Sequence, residues 1–184
     1  MRIRNFFFIA ALATIAIVGC SKDDDTPSDA VDMQPGQNEL VMDGARYALT
    51  TSASTDAENS YLQFACQNAA DPALFSLNGS VYAYPSSAFN KTFNVAVQNP
   101  DVHFGFDFYS ESPILPPMNY DNWSEGIHGT LDGQLYENES IWSSGSATIT
   151  FDDNGFRFAI YGTLKNGKKC GFIAYVPRNE IVVQ

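Results

Sequence analysis

The chain has 184 residues, 45% of them hydrophobic and 14% aromatic, enough for one core-bearing domain and a tail. Its formal net charge is −11, from 10 Lys+Arg against 21 Asp+Glu. Such a chain lacks the clustered cations that nucleic acid or anionic headgroups demand, and it suits neutral ligands, cations or a solvated cell surface. At the start, Arg2 and Arg4 precede an uncharged apolar run over residues 6–18, followed by Gly19 and Cys20. A basic start, a short apolar core and a small residue before a cut predict a secretory signal peptide over residues 1–19. The run is shorter than the roughly 20 residues a transmembrane helix requires.

Ile17-Val18-Gly19-Cys20 resembles the lipobox of bacterial lipoproteins. The resemblance implies cleavage between Gly19 and Cys20, with diacylglycerol on the Cys20 thiol and acylation of its new amino group. Several acyl chains on one residue anchor stably, where one chain alone is marginal. Ser21, Lys22, Asp23, Asp24 and Asp25 follow at once. They are similar to the export signal of Bacteroidota lipoproteins, which implies an outer-membrane protein facing the cell exterior. The plainer reading of that charge run is a solvated tether.

Residues 26–37 hold Pro27, Pro35 and Gly36 with few apolar side chains, so residues 20–37 are expected to form a lipidated linker. A domain is expected over residues 38–184. It opens with a hairpin turning at Asp43-Gly44, because Asp-Gly supplies positive φ angles. Strands are expected over residues 61–66 and 75–84, with Gly79 marking a bulge in the second. Residues 89–97 alternate most clearly, with Phe89, Lys91, Phe93, Val95 and Val97 on one face. A strand over residues 103–110, carrying Phe104, Phe106 and Phe108 in phase, is expected to pair with it.

Residues 112–140 contain Pro113, Pro116, Pro117, Gly126, Gly129 and Gly133 and show no sustained period. They read as a long loop with a short strand within residues 128–135, and long loops are often functional. A meander over residues 146–151, 156–164 and 170–176 follows, with a short last strand at residues 181–183. The whole predicts an all-β domain, an antiparallel β-sandwich of about nine or ten strands, with a closed up-and-down β-barrel as the alternative. Leu40-x-Met42-Asp43-Gly44-x-x-Tyr47 and Ile141-Trp142-Ser143-Ser144-Gly145 loosely resemble small Bacteroidota lipoproteins of unknown function, which imply no reaction and no site.

Cys66 and Cys170 share an alternation phase with Phe64 and Phe172, so both face the core, as a disulfide or as two buried free thiols. Only His103 and His128 could serve as bases near neutral pH, and no Gly-x-Ser-x-Gly nucleophile motif is present. Asp121 with Glu125 is the nearest approach to a paired-carboxylate site, but a loop pair of this kind is more often solvated. Asp152-Asp153-Asn154-Gly155 offers oxygen ligands, yet Thr163 stands where a calcium loop of the EF-hand type needs an acid, so it reads as a hairpin turn. No metal site, cofactor or enzymatic activity is expected.

The strongest binding signal is Tyr120, Asp121, Asn122, Trp123 and Glu125, with Tyr136 and Trp142 shortly after. Rings with polar tips beside hydroxyl-bonding side chains suit a sugar. The expectation is a lipid-anchored, non-enzymatic domain that binds a glycan or another neutral ligand. The alternative is a structural or adhesive subunit of a surface complex or fimbria, docking by strand addition at residues 181–183. For Trp123 and Trp142 the competing role is to anchor the loop onto the sheet.

Overall fold

A computed structural model describes residues 35–83, 89–99, 102–112, 115–123 and 126–184. The signal peptide, Cys20, the run from Ser21 to Asp25, and Glu125 lie outside the described residues. Among the described residues thirteen strands follow one another: β1 Glu39–Met42, β2 Ala45–Thr55, β3 Tyr61–Asn68, β4 Phe75–Ala83, β5 Lys91–Asn94, β6 Val102–Ser110, β7 Met118–Trp123, β8 Gly126–Leu131, β9 Gln134–Glu137, β10 Trp142–Asp152, β11 Gly155–Leu164, β12 Lys169–Pro177 and β13 Val182–Val183. The domain is all-β, as the alternation of its apolar residues requires.

Its architecture is one strongly curled sheet rather than two separate ones. The order is β5-β10-β11-β12-β1-β2-β3-β4-β6-β7-β8-β9, with β13 beside β2. All neighbours on the main path are antiparallel. No ladder joins β5 to β9 among the described residues, so the sheet is a half-barrel, a single continuous wall nearer the expected barrel alternative than a two-sheet sandwich. β2 makes the corner. Its first residues pair with β1 and its last seven, Leu49 to Thr55, pair with β3.

Curling brings the two halves face to face over an aromatic core. Phe64 stacks on Phe158 at 5.0 Å, Phe158 on Phe172 at 5.5 Å, and Phe106 meets Phe172 edge-on at 5.5 Å. Offset and edge-to-face pairs of this kind add to plain burial. Cys66 and Cys170 are buried free thiols among these rings, which settles their form in favour of the second of the two expected. Pro35 is buried too, and its Cδ lies against Gly171, so the folded domain begins before the expected linker ends.

Three further expectations change. Gly79 makes no bulge, since β3 and β4 pair without a shift from Tyr61↔Tyr82 to Gln67↔Ser76. The Phe64 ring instead lies over Gly79, where a Cβ would collide with it. Residues 112–140 are not a long loop but carry β7, β8 and β9. Asp132 and Gly133, at φ 52° and 78°, make the tight turn from β8 to β9. Finally, β5 does not pair with β6. Lys91 to Asn94 pair with β10, while β6 lies between β4 and β7.

Candidate functional site

The chain leaving β5 crosses from one rim of the curled sheet to the other, and two of the expected ligand-binding residues hold it there. Tyr120 Oη donates to Val95 O at 3.0 Å, and Ser140 Oγ donates to the same carbonyl at 2.7 Å. Asn122 Nδ2 donates to Val97 O at 3.1 Å and to Tyr120 Oη at 3.2 Å, while Asn122 Oδ1 accepts from Asn99 N at 2.9 Å. Both side chains are fully buried. Burial pushes the Tyr120 phenol up to about 12. The expectation that Tyr120 and Asn122 form an exposed binding stretch is therefore corrected. In a strand, alternate residues face opposite ways, and these two face inward.

Asp121 and Trp123 face outward, onto a surface that sequence reasoning did not assemble. Tyr61 pairs with Tyr82, and Tyr82 pairs with His103. His103 stacks on Trp123, with centroids 5.8 Å apart and planes 21° apart. Four rings thus form a row across β3, β4, β6 and β7 on the outer face. The Tyr82 side is open to solvent, at 38% exposure. Trp123 Nε1 donates to Asp121 Oδ1 at 3.2 Å, and Gln63 Nε2 donates to Tyr61 Oη at 2.9 Å. Both end rings are pinned by a partner two residues along their own strand.

Two polar rows run parallel to the rings. In the first, Gln63, Ser80, Gly105, Asp121 and His128 succeed one another in register. In the second, Ala65, Asn78, Asp107 and Asn119 do the same, with Asn119 Nδ2 donating to Asp107 Oδ1 at 2.6 Å. All of these but His128 and Asn119 line an open groove of about 560 Å³, which Tyr61 also lines and which Ser52, Ser54, Val182 and Gln184 complete. Gly105 keeps the floor low, and a Cβ there would meet the Asp121 carboxylate that leans across it. No Lys or Arg lines the groove, which carries the carboxylates of Asp107 and Asp121.

The remaining candidates sort themselves by burial. Trp142 is 1% exposed and belongs to the core. Asp152 Oδ1 accepts from Asn154 N at 2.8 Å, which is turn chemistry at the β10–β11 hairpin. No group of three or more potential metal ligands occurs among the described residues. His103 and His128 both lie on the outer face, where the ring row and the first polar row meet around Asp121. The signal that could have found the row was in the strands themselves. Tyr61, Tyr82 and His103 each stand on the outward phase at one end of a strand with its own apolar phase, and only the register was missing. No family model, curated protein or solved structure matches this chain.

Proposed function

We propose that this protein is a lipoprotein anchored in the outer membrane through Cys20, exported by the run from Ser21 to Asp25, and facing the cell exterior. Its domain is a non-enzymatic binding module for a glycan or another neutral ligand. The observation that carries this reading is the ring row Tyr61-Tyr82-His103-Trp123 beside a polar, cation-free groove. Sugars present apolar faces that stack on rings and hydroxyls that bond to Asp, Asn and Gln, and here both kinds of partner share one surface. Asp121 and Trp123 remain from the residues singled out in the sequence, joined by Tyr61, Gln63, Asn78, Tyr82, His103 and Asp107.

A glycan-array screen of the chain beside its Trp123→Ala variant tests this reading. Binding by the parent and its loss in the variant is the expected result, with thermal stability nearly unchanged because Trp123 is only half-buried. Absence of binding by either form would instead favour the structural alternative, a surface-complex subunit. The observation behind that alternative is Val182 and Val183, 60% and 61% exposed on a short strand that already pairs with β2.

A further inference from the structure

The direction of the ring row carries a prediction about what lies on it, which rests on the glycan reading above. The row runs across the strands and not along one. Adjacent strands are spaced by about 4.8 Å, so the three steps from Tyr61 to Trp123 cover about 14 Å. A pyranose unit in an extended glycan advances by about one strand spacing. One sugar therefore covers one ring or two, and at least three linked sugars are needed to engage both pinned ends.

The second feature is the polar row alongside. Gln63, Ser80, Gly105 and Asp121 stand two residues along their strands from the four rings, about 7 Å away. A chain of sugars stacked on the rings presents one edge to this row along its whole length. In the middle of the row the Asp121 carboxylate fills the space above Gly105, where no side chain competes with it. One oxygen of the Asp121 carboxylate accepts from the Trp123 indole N–H, which leaves the other to accept from a hydroxyl. The same hydrogen bond fixes the ring before any ligand arrives, which lowers the ordering cost of binding.

Charge supplies the third. Asp107 and Asp121 face the groove, and none of the residues that line it is Lys or Arg. A uronic, sialylated or sulfated sugar would place its anion beside carboxylates with no cation to offset them, and like charges brought together select against the wrong partner.

We infer that the outer face binds an extended, uncharged oligosaccharide of three or more units laid across β3, β4, β6 and β7, and rejects anionic glycans. Asp121 acts there both as a hydroxyl acceptor and as the positioning residue for Trp123.

Titration calorimetry on the full chain in detergent tests the inference. The probes are β-1,4-linked oligomers of glucose, mannose and N-acetylglucosamine, one to six units long, against oligogalacturonates of the same lengths. Affinity for a neutral series should rise at least about tenfold from one unit to three, then level off within one or two further units. The oligogalacturonate of equal length should bind at least about tenfold more weakly, and added salt should narrow that gap. Tyr82→Ala, a change at an exposed position, should weaken the trimer at least about tenfold and the single sugar little, with an unchanged circular dichroism spectrum. A single sugar that binds as tightly as the trimer, or an oligogalacturonate that matches its neutral counterpart, would overturn the inference while leaving glycan binding intact. Failure of every sugar, neutral and acidic alike, overturns the glycan reading together with it.

Discussion

Asn122 is the side chain on which most depends for its size. It spends both ends of its amide on the crossing segment, bonding Val97 O and Asn99 N, and it also bonds Tyr120 Oη. Replacing it by Ala removes the part-buried bonds to Val97 O and Asn99 N and the donor to the buried Tyr120 Oη, which keeps its own bond to Val95 O. The expected loss is about 1–3 kcal/mol, because an unsatisfied buried group costs its full desolvation. Chemical denaturation of Asn122→Ala checks this, and an unchanged midpoint would show that the clamp is dispensable. Tyr120→Phe should cost less, since Ser140 still serves Val95 O. The residue-level picture was only half legible in the sequence. Tyr120, Asp121, Asn122 and Trp123 were visible as a chemistry-bearing cluster, but Pro116 and Pro117 just before them hid the strand. Once the strand is recognised, its period of two separates the clamp from the outer face without further information.

Elements were most legible where the local chemistry left no choice. The Asp43-Gly44 hairpin formed as expected, with φ of 47° and 84°, and Phe156, Phe158 and Ile160 all point inward from β11. Asp132-Gly133 is the same turn chemistry, but its flanking strands are too short for their alternation to stand out. A glycine within a strand pattern suggests a bulge, whereas the role of Gly79 is to leave room for the Phe64 ring that reaches across from β3. That role makes a sharp prediction. In Gly79→Ala the new methyl must push the Phe64 ring off Phe158 and Phe156, at a cost of about 1–3 kcal/mol for overpacking. Combining it with Phe64→Leu and following chemical denaturation distinguishes the two roles. A smaller side chain at position 64 should relieve the penalty of Gly79→Ala, and a penalty that persists would point to backbone strain instead. The misassigned pairing of β5 has a different cause. Alternation says that a segment is a strand but carries no information about its neighbour, and residues 95–99 cross to the far rim before β6 begins.

At the scale of the whole molecule, composition and turn spacing revealed an all-β domain but could not reveal that one sheet curls around a single core. That outcome depends on contacts between distant segments such as Phe106 with Phe172 and Phe64 with Phe158. The core so formed holds three groups that resist losing a proton. Burial pushes the Cys66 and Cys170 thiols up from 9.0 to about 12, and the Tyr120 phenol from 10.0 to about 12. The folded chain keeps these protons where the unfolded chain gives them up. Their stabilising contribution is complete below pH 9 and declines as pH rises from 9 toward 12, by at most about 1.4 kcal/mol per pH unit for each group. Melting temperature should therefore fall through this alkaline window, and the Cys66→Ala, Cys170→Ala double variant should fall less steeply. Equal slopes for the two proteins would show that the thiols do not set the alkaline limit.

The pairing of β1 with β12 carries a consequence for time rather than for shape. Glu39 lies opposite Ile173 and Met42 opposite Cys170, so the first strand of the domain finds one of its two neighbours only near the end of the chain. As the polypeptide emerges, the β1–β2 hairpin can form within microseconds, yet one side of it stays unzipped until β12 has been delivered. Closing a loop of that length precedes any reward from the contacts it makes, which places this fold among the slower ones. Assembly is thus held open from its beginning and locked by almost its last segment, so the protein can be carried a long way as a chain before it commits to being a sheet.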